Sequence, residues 1–158
     1  PNGVDVAQYH PGMPDALPLR HPAIVFTGKM DFRPNVDGVL WFYRHAWRLV
    51  QRELPEATLY IVGKSPAVAI DPLRADPHVV VTGYVEDIAP YFGGADVYIV
   101  PLRIGGGTRL KVLEAMSAGL PIVTTRHLAV MSQWESEPCC SRWRPSRRRW
   151  RRRASRSR

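Results

Sequence analysis

The stretch "PLRIGGGTRLKVLEAMSAGLPIV", Pro101–Val123, decides how this chain is read. An apolar run, "DVYIVP" (96–101), leads into three consecutive glycines, Gly105, Gly106 and Gly107. A threonine and two basic residues follow, and helical spacing then runs from about Thr108 to Ala118, ended by Gly119 and a second apolar run, "LPIVTT" (120–125). Strand, glycine turn, helix and strand together make a β-α-β unit of a parallel sheet. Glycines let a backbone approach a ligand without Cβ clashes. Thr108 can cap the helix, and a helix N-terminus with open N–H groups attracts phosphate. Arg109 and Lys111 add full charges within a turn, and Glu114 lies on a helix face that reaches the same crevice. The spacing matches neither the Walker pattern nor the dinucleotide fingerprint. On these residues alone, a phosphate cradle and a plain tight turn both remain open.

Working outward, "AIVFTG" (23–28), "TLYIVG" (58–63) and "HVVVTG" (78–83) are short apolar runs, each closed by a glycine. Between the first two, residues 34–54 place Val36, Val39, Leu40, Tyr43, Trp47, Val50 and Leu54 at helical spacing, with Pro34 and Asn35 suited to the first turn. Residues 65–76 predict a loop with a short helix, and 85–95 a short helix carrying Pro90. Apolar strands alternating with helices predict an α/β fold, a Rossmann-like parallel sheet with helices on both faces. Such sheets bind ligands at the carboxyl ends of their strands, where Gly28, Gly63, Gly83 and the 101–108 loop fall. Lys29 and Arg33 follow a strand end and precede a helix, so both could face that crevice or could be ordinary solvated loop charges.

The ends of the chain differ from its middle. Residues 1–22 are proline-rich and carry no periodic apolar pattern, which predicts a hinge or linker segment before a domain over 23–125. Residues 126–158 are irregular and Arg-rich, a composition that predicts disorder. Ten arginines and no acid lie in 142–158, so residues 1–141 hold 12 Lys and Arg against 14 Asp and Glu, a net of −2. The chain's overall +8 therefore belongs to its tail. That tail is either a translation out of frame of a GC-rich coding sequence or a basic segment for nucleic acid or acidic surfaces, and the second option makes a basic-tailed binding protein the alternative function.

The five histidines show no ligand spacing, no Gly-x-Ser-x-Gly is present, and Cys139 and Cys140 are adjacent within the irregular segment. No apolar run reaches the roughly 18 residues of a membrane span, and the first residues lack a secretory pattern. The expected location is the cytoplasm.

The ordered blocks "PNGVD", "FTGKMDFRPNVDGVLWF", "LYIVGKSP", "VVVTGYVEDIAPYFGGADVYIVPLR" and "GGGTRLKVLEAMSAGLPIVTT" resemble the C-terminal domain of family 4 glycosyltransferases, of the two-Rossmann-domain GT-B architecture, and within it the exopolysaccharide-type sugar transferases. The resemblance covers roughly residues 1–125. It implies retaining transfer of a sugar from a nucleotide diphosphate donor, with no bound metal and no cofactor beyond the donor itself. It also implies that the acceptor, a sugar or glycolipid, is met through a missing N-terminal domain, so that the fragment alone is inactive. The parent enzyme would associate peripherally with the inner membrane face, and no specific nucleic acid partner is expected.

By the same resemblance, Glu114 matches the second Glu of the family's Glu-x7-Glu motif and would bind ribose hydroxyls. Lys29, after Gly28, would face the donor phosphates, and the backbone from Gly106 and Gly107 through Thr108 and Arg109 would hold phosphate and sugar. The loop around Tyr84 and Val85 would contact the base. Two positions depart from the pattern: Gly106 stands where the first Glu is expected, and Pro34 where a second phosphate-binding Lys is common. Arg33, Arg109 or Lys111 is the expected substitute for that lysine.

Overall fold

Ala23–Thr27 (β1) and Thr58–Val62 (β2) are buried along their whole lengths. Uninterrupted apolar runs of this kind suit a sheet covered on both faces. The computed structural model describes residues 3–13, 15–64, 68–105 and 110–125. In it β1 and β2 join Val79–Gly83 (β3), Val97–Val100 (β4) and Ile122–Thr124 (β5) in one parallel sheet of order β3-β2-β1-β4-β5. The chain builds outward from β1 to β3, then crosses back to lay β4 beside β1. Crossovers between parallel strands are right-handed, so this reversal sends the helices before and after it to opposite faces. The expected Rossmann-like α/β fold is therefore formed, and its switch point lies between β1 and β4.

The stretch expected as one helix over 34–54 is continuous but not uniform. It comprises Arg33–Phe42 (α1), a π-helical turn Tyr43–Trp47, and Arg48–Glu53 (α2). Asn35, Gly38, Val39 and Phe42 of α1 are buried, whereas no residue of α2 is, and Leu54 is exposed. The wider turn shifts the helical phase. Trp47 then enters the core, where its indole donates to Asp76 Oδ2 at 3.1 Å beside the Tyr43 hydroxyl at 3.2 Å. The other oxygen of Asp76 accepts the His78 amide at 2.9 Å, which fixes the entry to β3.

Residues expected as a loop with a short helix contain a 3-10 helix, Val68–Ala75. The short helix expected over 85–95 begins only at Ala89 (α3, Ala89–Gly94), because the Asp87 carboxylate accepts the Ala89 amide at 2.9 Å and closes a turn first. Leu110–Ser117 (α4) ends as expected before Gly119, with the Gly119 amide bonded to Met116 and the Leu120 amide to Ala115.

Among the described residues of 1–22 there is neither helix nor strand, yet the segment is packed along the domain. Tyr9 and Met13 are buried in the core, Tyr9 meets Phe92 edge-on at 5.5 Å, and the Ser117 hydroxyl donates to the Tyr9 carbonyl. The Leu17 amide bonds to the Pro90 carbonyl at 3.0 Å and the Arg20 amide to the Tyr60 hydroxyl at 2.8 Å. The tail expected over 126–158 lies outside the described residues.

Candidate functional site

A crevice of about 340 Å³ opens where β1, β2 and β3 end. Thr27, Gly28 and Lys29 line it from β1, Val62, Gly63 and Lys64 from β2, and Tyr84, Val85 and Ile88 from the segment after β3. Lys111 and Glu114 of α4 close the side facing the switch point.

Its geometry follows from register. Thr27 pairs with Val62, so the next residues of the two strands, Gly28 and Gly63, stand side by side. The Gly28 amide donates to the Val62 carbonyl at 2.9 Å and the Met30 amide to the Lys64 carbonyl at 2.9 Å, which carries the pairing past the strand ends. A Cβ on Gly63 would lie 2.0 Å from the Gly28 carbonyl oxygen, so this pairing requires glycine.

Lys111 spans the top of β1. Its ammonium donates to the Thr27 carbonyl at 2.8 Å and to Asn35 Oδ1 at 3.1 Å, and sits 4.6 Å from the centre of the Phe26 ring. The buried Asn35 in turn donates through Nδ2 to the Lys29 carbonyl at 2.8 Å. Helix α1, helix α4 and the turn carrying Lys29 are thus bound into one polar network at the switch point. Beneath it, the Tyr98 hydroxyl meets Thr27 Oγ1 at 2.6 Å. Burial holds the Tyr98 phenol well above its ordinary range, so it serves as a neutral hydrogen-bonding floor.

A second connection aligns the entry to the glycine turn. Arg103 grips Asp37 of α1 with two bonds, 2.6 and 3.1 Å, and lies 5.8 Å from the centre of the Trp41 ring. Paired guanidinium–carboxylate bonds fix orientation as well as distance.

Glu114 is half-buried, and its carboxyl is pushed above the ordinary glutamate range by desolvation, an effect that the Lys111 charge partly offsets. A raised acid means that the folded state holds the proton more tightly than the unfolded state. Glu114 therefore costs stability increasingly as pH rises from the unfolded glutamate value through the raised folded one. We expect Glu114→Gln to unfold at a higher temperature than the parent at pH 7, with the difference vanishing near pH 4. Equal melting temperatures at pH 7 would contradict the desolvation of this group.

Six of the residues singled out from sequence, Gly28, Lys29, Tyr84, Val85, Lys111 and Glu114, meet in this crevice. Arg33 does not line it: it is an exposed residue at the start of α1. Gly106, Gly107, Thr108 and Arg109 lie outside the described residues. Sequence reasoning passed over Lys64, although "IVGK" repeats the strand-end Gly-Lys of "FTGK", and that repetition was the available signal. It also passed over the bridging part of Asn35, whose partner is 76 residues away. Among the described residues no group of three or more His, Cys, Asp or Glu could hold a metal ion, and no helix is long and apolar enough to cross a membrane.

Solved structures share this architecture. The C-terminal domain of a glycosyl transferase group 1 family protein from Francisella tularensis aligns with a TM-score of 0.62, at 16% identity over 85% of this chain and 74% of its own. HepE of Anabaena, solved with UDP and glucose, aligns with a TM-score of 0.58, at 15% identity over 79% of this chain and 37% of its own. Among curated proteins, the phosphatidyl-myo-inositol mannosyltransferase of Mycobacterium tuberculosis is 32% identical over 133 residues, 79% of this chain and 34% of the relative. The chain thus spans about a third of the length of the curated relatives it matches. Residues 21–136, the greater part of the chain, match the sequence profile described as "Glycosyl transferases group 1", and the chain belongs to that family.

Proposed function

We propose that the crevice binds the nucleoside diphosphate portion of a sugar donor, and that the chain is the donor-binding part of a glycosyltransferase. The observation that carries this reading is the convergence of Lys29, Lys111, Glu114 and Tyr84 on one crevice beside the switch point, where open α/β sheets hold their ligands. The Lys29 ammonium answers the charge of the diphosphate. Glu114 accepts hydrogen bonds from ribose hydroxyls, and Tyr84, exposed at the mouth, offers a ring face to the base. Charge that develops on the departing diphosphate is stabilised by donors already in place. HepE, of the same fold, was solved with UDP and glucose, which is compatible with this assignment.

The finer elements of the proposal are a family 4, GT-B enzyme of glycan or exopolysaccharide synthesis, transfer with retention at the anomeric carbon, and no metal or other cofactor. The acceptor, a sugar or glycolipid, meets the donor across a cleft completed by a further domain. The location proposed is the cytoplasm, at the inner membrane face.

Calorimetry on the 158-residue chain tests the site. UDP or GDP is expected to bind weakly, and Glu114→Ala and Lys29→Ala are each expected to reduce that binding at least tenfold, the scale of one lost charged hydrogen bond. Unchanged binding in both variants would refute the site.

A further inference from the structure

We infer that Lys64 is the second diphosphate-binding cation of the crevice, paired with Lys29. This rests on the donor-site reading above and assigns a residue that the sequence patterns left out. The expected position for that second lysine is Pro34, which has no charge to offer. Of the substitutes expected from sequence, Arg33 does not line the crevice. Lys111 lines it, but its ammonium is held by the Thr27 carbonyl and Asn35 Oδ1. Arg109 lies outside the described residues.

Lys64 occupies the position next to Lys29 in the sheet. Thr27 pairs with Val62, so Lys29 and Lys64 are each two residues past the same paired position. The Met30 amide bonded to the Lys64 carbonyl holds the two turns together. Adjacent parallel strands are about 4.8 Å apart, and like charges at such neighbouring positions repel. Both side chains are exposed and line the crevice, and no ion pair joins either of them to a carboxylate among the described residues. The acid in the crevice, Glu114, has Lys111 as the cation that offsets its raised pKa. Two neighbouring cations with no acidic partner among the described residues fit a ligand with two adjacent negative groups, and a diphosphate is such a ligand. A monophosphate could engage both only at one centre.

The experiment compares UDP, UMP and uridine, with GDP and GMP as the second series, by calorimetry on the 158-residue chain and its Lys64→Gln and Lys64→Arg variants. Lys64→Gln is expected to weaken diphosphate binding about tenfold and to shrink the preference for UDP over UMP, with Lys64→Arg recovering most of it. Raising salt should erode the parent's affinity more steeply than that of Lys64→Gln. Circular dichroism and the melting temperature of Lys64→Gln should match the parent, since the side chain is exposed. If the parent binds UDP or GDP and Lys64→Gln binds equally well, the pairing is wrong while the donor site stands. If the parent binds no nucleoside diphosphate, the donor site itself fails and this inference with it.

Discussion

Gly63→Ala is expected to unfold the domain or to leave it barely stable. An added Cβ would stand 2.0 Å from the Gly28 carbonyl oxygen and 2.8 Å from its carbonyl carbon, both of them backbone atoms. No side-chain rotation relieves such a contact, so β1 and β2 must separate at their paired ends. Gly63 also has φ +142, a conformation that L side chains rarely adopt. Overpacking of this kind ordinarily costs about 1–3 kcal/mol in a core where side chains can give way. Here the strands must move, so the loss should exceed about 3 kcal/mol, a large fraction of the roughly 5–15 kcal/mol available to a domain. Gly83→Ala supplies the comparison, because Gly83 has φ +78 but nothing within 4 Å of its added Cβ. It should lose only the left-handed strain, about 1–2 kcal/mol. Urea unfolding of both variants separates the two effects. If Gly63→Ala were no less stable than Gly83→Ala, the close approach of the two strand ends would be refuted.

The same comparison shows what could be read from the chain and what could not. Each strand announced itself as an apolar run; for β1 and β2 the reason is burial along their whole lengths, whereas β5 keeps its apolar run although Val123 is exposed. The closing glycines marked the carboxyl ends, where the crevice lies. The helix over 34–54 was legible as a helix, but its π-helical turn was not. That turn brings Trp47 and Tyr43 onto Asp76, a partner that lies outside the segment. Tyr9 and Met13 were hidden for a related reason: a proline-rich segment with no period reveals nothing of the surface it will cover. The site divides along the same line. Lys29 and Glu114 follow from position relative to a strand or helix end, and the Tyr84 loop from the family resemblance. Asn35, Lys64 and the Asp37–Arg103 pair depend on which strand lies beside which, and their partners stand 35 to 76 residues away.

Lys111→Met should separate the two duties of the network at the switch point. Methionine keeps the length of the apolar stem and removes the ammonium, so the Thr27 carbonyl and Asn35 Oδ1 each lose a charged donor. Asn35 is only 5% exposed, and its abandoned oxygen cannot readily turn to water. Leaving a buried polar group unsatisfied costs about 1–3 kcal/mol, and more when the lost partner was charged. A loss of about 2–4 kcal/mol is therefore expected in urea unfolding, against little or none for Lys64→Gln. Nucleotide binding should fall in both variants, but for different reasons. In Lys64→Gln only an ion contact is lost, whereas in Lys111→Met the Lys29 turn is also loosened, because Asn35, which donates to the Lys29 carbonyl, loses the ammonium that anchors its own oxygen. Removing Lys111 also takes away the charge that partly offsets the desolvation of Glu114. The Glu114 carboxyl should then rise further, and the stability of Lys111→Met should fall more steeply with pH above the unfolded glutamate range than that of the parent. Glu114→Gln should raise stability at pH 7 by more in the Lys111→Met background than in the parent, a coupling that two independent sites would not give. A Lys111→Met variant as stable as the parent at every pH would refute the bridge. Strict additivity in the cycle would leave the bridge standing but deny that Lys111 and Glu114 share a field.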